Sequence, residues 1–195
     1  MRRRELVRHL NVLERVFSDA TIVACPFGTV FASESEVRSG LLEARRQELL
    51  ALLRRLSGRL QLNVRATYDE EVVLREIVGS SDEIATLSAR TRSRGADAHY
   101  DRIALGERVA AALAARREHD AGRLLEPIAS AADDVVVDPP DDVHVLKASF
   151  LVRRDRYATF DTTLEALAAA EAPRLRFECI GPLPPTAFTA LTEAD

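Results

Sequence analysis

Apolar residues recur at helical spacing at the start of the chain. Over residues 3–18 they return every three or four positions with charged residues between them, which predicts an amphipathic helix with one buried face. Residues 21–25 then predict a short strand, interrupted by Pro26 and Gly28. A second short strand is predicted over residues 29–31.

A capping box follows these two short strands. Ser33 and Glu36 have the spacing at which each side chain satisfies the backbone N–H of the other, so a helix is predicted to begin here and to end near Ser57, before Gly58. This part of the chain therefore reads helix, strand, strand, helix. A sheet of only two strands is marginally stable, which suggests that an additional strand belongs to it.

Strict alternation of apolar and polar residues over 60–68 predicts the clearest strand of the chain. Asp69 is expected to cap a helical turn after it. Residues 82–132 are rich in Ala, Arg and Glu with apolar positions at helical spacing, so they predict long helices, arranged as a helical hairpin and broken near Arg94-Gly95 and near Pro127.

The last third of the chain returns to extended spacing. Its predicted elements, in order, are a strand at 135–137, a turn at 138–142, a strand at 143–153, a helix from Tyr157 or Thr159, and a strand at 174–179. The adjacent apolar residues Val145 and Leu146 shift the alternation by one position, which indicates a β-bulge.

From Arg59 onward the predicted order is β, α, β, β, α, β. This order is the split βαβ plan of a ferredoxin-like sheet, in which helices cover one face of four antiparallel strands. We therefore predict an α+β protein with an N-terminal unit at 1–58 and a C-terminal domain at 59–195. The domain would contain a helical insertion at about 82–132 and a proline-rich arm at 181–195, called the proline arm below.

The proline arm follows the final predicted strand directly. Gly181 is expected to end that strand, because prolines with fixed φ and no N–H follow it at once: Pro182, Pro184 and Pro185. The arm would then present Leu183 and Phe188 to the surface on which it packs.

Two motifs carry a resemblance to a known family. The segment Gly181, Pro182, Pro184, Pro185 and Phe188 is similar to the C-terminal motif of the gas vesicle accessory proteins of the F/L (GvpF/GvpL) family. Leu183, Thr186 and Ala187 stand where that family usually has Trp, Tyr and Ser. The second motif resembles the family's Phe-Gly-Thr-Val-Phe element, and its residues here are Pro26, Phe27, Gly28, Thr29, Val30 and Phe31.

The resemblance implies a non-catalytic accessory protein that binds the hydrophobic gas vesicle shell protein and assists nucleation or assembly, either as a helper or as a minor component of the vesicle. Its implied partners are the shell protein and other gas vesicle accessory proteins, and its implied location is the gas vesicle or the cytoplasm. Members of the family usually begin with an additional strand. We therefore hypothesise that Met1 is a late-assigned start or marks a real truncation.

The composition of the chain bears on which classes of function are possible. The chain has 195 residues, 47% hydrophobic and 30% charged, with a net charge of −4, which is typical of a soluble globular protein and gives no indication of nucleic-acid binding. No apolar run approaches the roughly 20 residues of a membrane span, and no signal peptide is recognisable. Cys25 and Cys179 are expected to be buried free thiols rather than a disulfide, as in a cytoplasmic protein.

No cluster of polar residues in the sequence is a strong candidate for a catalytic or metal-binding site. The four histidines lack zinc-ligand spacing, and Asp97, His99 and Asp101 are interpreted as a solvated helix start rather than a metal site. Ser81 lies in a predicted helix cap, and the aspartates of residues 133–142 lack the spacing of a calcium loop. We therefore predict no catalytic, cofactor-binding or metal-binding residue and no cofactor.

Three surfaces are candidates for binding the shell protein: an open sheet edge, the helices at about 98–130, and the proline arm around Leu183 and Phe188. The arm has an alternative interpretation as a structural strap. The alternative function is a small-molecule-binding or enzymatic ferredoxin-like domain, because such sheets host many ligands.

Overall fold

The computed structural model describes residues 3–94 and 99–189. Its strands form one antiparallel sheet in the order β2-β3-β1-β4, namely β1 (Arg59–Tyr68), β2 (Asp134–Val137), β3 (His144–Arg153) and β4 (Leu175–Leu183). With one helical section between β1 and β2 and another between β3 and β4, this is the predicted ferredoxin-like α+β plan.

The helices, in chain order, are α1 (Arg3–Asp19), α2 (Glu34–Glu36), α3 (Arg46–Leu56), α4 (Glu70–Ser80), α5 (Asp82–Arg94), α6 (His99–Ser130) and α7 (Tyr157–Glu171). A π-helical segment, Val37–Glu43, leads toward α3, and short 3₁₀ turns cover Arg154–Arg156 and Thr186–Phe188. The predicted N-cap side chains are confirmed, since the Glu36 amide donates to Ser33 Oγ at 3.2 Å and the Val72 amide to Asp69 Oδ1 at 3.3 Å. The return bond of the capping box differs from the prediction, because Glu36 Oε2 accepts from the Ala32 amide, at 2.6 Å.

The main core lies between one face of the sheet and helices α6 and α7. Val64 of β1 and Phe150 of β3 are fully buried there, against Leu124 of α6 and Phe160 of α7. The rings of Phe150 and Phe160 lie 5.4 Å apart between centroids. A smaller cluster joins α4, α5 and α6, so the insertion is the expected helical hairpin with α4 packed beside it.

The β-bulge predicted at Val145 and Leu146 is present. Ala66 pairs with Leu146 and Thr67 pairs with His144, so Val145 is the extra residue on β3. Val145 and Leu146 are both buried, which explains why two apolar residues stand side by side.

The two short strands predicted in the N-terminal unit are wrong. Residues 20–32 form no strand, and the Thr29 amide instead closes a turn by donating to the Pro26 carbonyl at 3.1 Å. The apolar residues of this stretch are used for packing rather than for pairing: Ile22 lies against the main core, and Val23 against the cluster of Leu56 and Phe188.

Two expected breaks are also wrong. Helix α6 continues through Pro127 to Ser130, because the proline lies in the last turn between the fully buried Leu124 and Ile128. Strand β4 continues through Gly181 to Leu183, with Asn63 paired to Ile180 and Gln61 to Leu183 across a bulge. The break expected near Gly95 involves a residue outside the described ranges.

The burial expected of the cysteines is wrong as well. Cys25 and Cys179 are free, as expected, but both are exposed. Cys25 belongs to the turn segment instead of a strand, and Cys179 lies on β4 at the edge of the sheet, where no further strand of the described chain shields it.

Candidate functional site

A groove of about 650 Å³ brings the two sequence motifs together. We call it the motif groove, and it is lined by Leu6, His9, Leu10, Leu13, Ala24, Cys25, Pro26, Phe27, Arg45, Thr186, Ala187 and Thr189. Its walls therefore come from α1, from the turn segment after α1, and from the proline arm. These three segments are far apart in sequence, and only the tertiary fold places them side by side.

The α1 wall is an apolar surface with little covering it. Phe17 is the buried residue of α1; it packs in the main core, and the Arg154 guanidinium lies 4.8 Å from its ring centroid. Leu6 and Leu10, nearer the N-terminus of the same helix, keep 41% and 44% of their surface exposed. Helix α1 is thus anchored at its C-terminal end, and its predicted apolar face is mostly open rather than buried.

The turn wall carries the first motif. Pro26 and Phe27 line the groove, and the Phe27 ring meets the His9 ring edge-on at 5.3 Å between centroids. Gly28 adopts φ 92°, a left-handed conformation that favours glycine, and Thr29 Oγ1 donates to the Pro26 carbonyl at 2.8 Å. Gly28 and Thr29 therefore shape the turn, while Pro26 and Phe27 face the groove.

The arm wall carries part of the second motif. Pro184, Pro185 and Phe188 are buried, with Phe188 against Leu56 and Leu151 on the sheet face opposite the main core. The residues between them, Thr186 and Ala187, line the groove. The arm is therefore packed as a strap, and it presents its small residues to the groove rather than Leu183 and Phe188.

Gln61 fastens this strap to the sheet. Its Oε1 accepts a hydrogen bond from the Ala187 amide at 2.9 Å, and its Nε2 donates to Asn63 Oδ1 at 2.7 Å. Ser149 Oγ also donates to Asn63 Oδ1, at 3.0 Å. Gln61 is only 4% exposed, so this network satisfies buried polar groups. In the sequence Gln61 occupies an ordinary polar position of an alternating strand, and no local pattern marks it.

The remaining motif residues lie outside the groove. Phe31 is partly buried after the turn, and Gly181 and Pro182 form the bulge of β4. A Cβ atom at Gly181 would lie 2.6 Å from Leu62 Cδ2 and 2.9 Å from the Gln61 carbonyl oxygen, so the close approach of β4 to β1 requires glycine. Leu183 pairs with Gln61 at the start of the arm.

A buried ion-pair network lies on the other side of the molecule. Asp120 Oδ2 accepts hydrogen bonds from Tyr68 Oη and Arg174 Nη1, both at 2.7 Å, and Arg174 also donates to Glu171 at 2.5 Å. Burial alone would raise the pKa of Asp120, but the hydrogen bonds from Tyr68 and Arg174 outweigh it and hold that pKa below its usual value. Burial and the Asp120 hydrogen bond raise the pKa of Tyr68. The groups satisfy one another, as expected of a structural network.

The other charged clusters of the sequence are engaged in ion pairs. Asp133 and Asp134 pair with Arg59 and Arg55, and Asp138 pairs with Lys147, while the Asp141 carboxylate accepts a hydrogen bond from the His144 amide and lies 2.8 Å from His144 Nδ1. Asp101 pairs with Arg90 at 2.6 Å, and the His99 ring lies edge-on to the Tyr100 ring, while Asp97 is outside the described residues. Among the described residues, no group of three His, Cys, Asp or Glu side chains could hold a metal ion. No described helix is long and apolar enough to cross a membrane.

The four-stranded antiparallel sheet, covered by helices on one face, places the chain in the class of ferredoxin-like α+β proteins. The family model described as gas vesicle synthesis protein GvpL/GvpF matches residues 1–190, and the chain belongs to this family of gas vesicle accessory proteins.

Individual relatives agree with this assignment. The chain is 34% identical over 187 residues to gas vesicle protein F of Streptomyces sp. (strain CB03234), covering 96% of this chain and 78% of the relative. It superimposes with a TM-score of 0.81 at 23% identity on the crystal structure of gas vesicle protein GvpF from Anabaena sp. PCC7120, over 99% of this chain and 80% of that one. For GvpF from Microcystis aeruginosa the TM-score is 0.73 at 22% identity, over 97% and 79% of the two chains.

Proposed function

We propose that this chain acts by binding rather than by catalysis, and that it holds the hydrophobic gas vesicle shell protein while the vesicle is nucleated or assembled. The observation that carries the proposal is the open apolar face of α1 along the motif groove. An aggregation-prone partner needs an apolar acceptor surface that delays its self-association, and this groove is such a surface.

Other apolar residues of α1 are exposed outside the groove. Val7 and Val16 are 47% and 46% exposed, in addition to Leu6 and Leu10, and they flank the groove-lining stripe on its two sides. Exposed apolar patches that are rimmed by polar residues typically mark interaction sites. Here the polar lining includes His9 and Arg45, and the Arg45 guanidinium pairs with Glu48 at 2.8 Å.

The motif residues support this location. Pro26 and Phe27 form one wall, and Thr186 and Ala187 form another. Because Thr186 and Ala187 stand where the family usually has Tyr and Ser, this groove has one wall of small side chains. We propose that the motifs serve two roles: Pro185 and Phe188 hold the arm against the sheet, and Pro26 and Phe27 contact the partner.

Point substitutions in the full chain test the proposal. We expect Leu6→Asp combined with Leu10→Asp to reduce the amount of shell protein that co-purifies with this chain at least about tenfold, because two charges would be placed in an apolar interface. Val143→Asp is the matched control: Val143 is 65% exposed and lies outside the groove. Ile103→Asp, at a 48% exposed position of α6, tests the insertion as the alternative surface.

Each outcome of this comparison has a clear meaning. Loss of association in the α1 variant with retention in Val143→Asp supports the motif groove. Loss only in Ile103→Asp would move the proposed surface to the insertion. Absence of association between the wild-type chain and the shell protein would contradict the proposal itself.

A small-molecule site is the alternative function, and one groove of about 430 Å³ is the place to test it. It lies between α6 and the 138–142 turn. Two of its charged groups are engaged, since Lys147 pairs with Asp138 at 3.0 Å and Arg117 Nη2 donates to the Asp142 carbonyl at 2.8 Å. Arg117 Nε, in contrast, is buried without a hydrogen-bond partner among the described residues. A ligand would have to displace these contacts, so we favour the binding of the shell protein.

A further inference from the structure

Strand β4 forms one edge of the sheet. It pairs with β1 on one side, and no strand of the described chain pairs with its other side. Along the strand, residues 178–182 are all exposed. An edge of this kind carries backbone N–H and C=O groups that are free to pair with another strand.

The existing hydrogen bonds show which backbone groups face outward. The Arg174 carbonyl accepts from the Asp69 amide at 2.8 Å, so the backbone of residue 174 faces β1. In an antiparallel ladder this orientation alternates, and Arg176 and Glu178 therefore also turn their backbone groups toward β1, opposite Thr67 and Arg65. The outward groups belong to Leu175, Phe177 and Cys179.

The charged side chains at this edge are complementary to the same side chains on a second copy of the chain. Arg176 and Glu178 project from the same sheet face, two positions apart, with 75% and 62% of their side chains exposed. If a second β4 pairs antiparallel with a two-fold axis at Phe177, each Arg176 lies directly opposite the Glu178 of the other copy. The two Phe177 residues then form the central hydrogen-bonded pair.

We propose that two copies of this chain associate through β4 in this register, which joins their two sheets into one. A partner with an unrelated edge strand would have no such match, whereas a second copy supplies both halves of each ion pair. Opposite charges placed directly across a strand pair are stabilising, and like charges are destabilising.

The neighbouring registers are unfavourable. An axis at Arg176 would place two arginines opposite each other, and an axis at Glu178 would do the same with two glutamates. An axis at Leu175 brings Pro173, which lacks an N–H, into the ladder. An axis at Cys179 brings in Gly181, where β4 bulges toward β1. The register centred on Phe177 is the one that avoids all of these conflicts.

The charges of the edge are available for this pairing. Arg176 Nη2 lies 2.6 Å from Asp69 Oδ2 within the chain, and Glu178 lies 3.6 Å from Arg65. Arg176 and Glu178 are the exposed members of these pairs, whereas Asp69 is only 23% accessible. Ion pairs at the surface contribute little and exchange readily. Because the bulge at Gly181 and the missing N–H of Pro182 end the free ladder after a few residues, the dimer is expected to be reversible and dependent on concentration.

Sedimentation equilibrium of the full chain over a range of concentrations tests the inference. We expect the wild type to dimerise, and we expect Arg176→Glu and Glu178→Arg each to raise the dissociation constant by about tenfold, because both ion pairs become like-charge pairs. The double variant R176E/E178R exchanges the charges and is expected to restore the wild-type constant. Arg38→Glu is the matched control, since Arg38 is an exposed arginine, 69% accessible, outside the edge.

The double variant separates this register from a general effect of charge. Thermal melts of each variant show that the fold is retained, which is necessary because Arg176→Glu places a carboxylate beside Asp69. A wild-type chain that is monomeric at every concentration overturns the inference. Failure of the double variant to restore dimerisation also overturns it, as would equal weakening by Arg38→Glu.

Discussion

At the scale of single residues, Gly181 has the most constrained position that the structure describes in the two motifs. It lies where β4 bulges toward β1, and the backbone of Gln61 leaves no room for a Cβ atom. Leu62 Cδ2 could move aside, but the Gln61 carbonyl is fixed in the sheet. The sequence marks Gly181 as the end of a strand, and the structure shows a strand that continues because the residue is glycine.

We therefore expect Gly181→Ala to destabilise the fold by about 1–3 kcal/mol through overpacking. Gly122→Ala is the matched control, since a Cβ atom at Gly122 in α6 would meet nothing within 4 Å and the helix would gain roughly 0.5–1 kcal/mol. Urea denaturation of both variants measures the difference. Equal stability of the two variants would show that β4 can shift away from β1.

At the scale of elements, the network around Asp120 joins pieces that are separate in sequence. Tyr68 ends β1, Asp120 lies within α6, and Glu171 and Arg174 belong to the end of α7 and the loop before β4. The network therefore ties α6 to the end of β1 and to the loop before β4. In the sequence these four residues are ordinary polar positions, so no local pattern could identify the network.

Arg123 also pairs with Asp120, at 3.3 Å, and keeps 40% of its side chain exposed. We expect Asp120→Asn to destabilise the fold by about 2 kcal/mol, below the roughly 3–5 kcal/mol of a fully buried pair, since solvent reaches Arg123. Asp155→Asn is the control, because the Asp155 pair with Arg153 is exposed and should matter by less than about 0.5 kcal/mol. Chemical denaturation at pH 7 measures both. A change of less than about 0.5 kcal/mol in the free energy of unfolding of Asp120→Asn would mean that water can take over the hydrogen bonds of the Asp120 carboxylate.

The same network predicts how stability depends on pH. The pKa of Asp120 in the folded chain lies below its unfolded value of about 3.8, so its contribution is present above that pH and is lost as pH falls through the folded pKa. The hydrogen bond from Arg123 likewise lowers the pKa of Glu171. We expect the wild type to lose stability below about pH 4 more steeply than Asp120→Asn, as measured by thermal melts between pH 3 and pH 7.

At the scale of the whole molecule, the division near residue 58 stays a prediction. The contacts across it include two buried apolar ones, since Phe17 lies in the main core and Leu56 packs against Leu151 and Phe188. The exposed ion pair of Arg55 with Asp134 also crosses it. We propose that the two parts unfold together, because neither part buries these apolar residues alone. Calorimetry tests this: a calorimetric enthalpy equal to the van't Hoff enthalpy is expected, and two separate transitions would contradict it.

The elements with a strong local period were predicted well. Strand β1, the capped helix α4 and the bulge at Val145 follow from alternation, capping residues and paired apolar residues, all of which act within a few positions. The short extended segments at 21–25 and 29–31 were not, since an apolar stretch of that length can pair as a strand or pack as a loop. A strand forms only where a partner strand is available to satisfy its backbone groups.

The sequence by itself determined the order of the strands and helices, and with it the ferredoxin-like plan, because hydrophobic period and turn residues act locally. It also marked both motifs. Only the tertiary structure decided that Pro26 and Thr186 line one groove, that the surface on which Phe188 packs is formed by Leu56 and Leu151, and that β4 is an edge strand. Those properties depend on which distant segments of the chain come into contact in the folded molecule, and no local pattern of residues specifies those contacts.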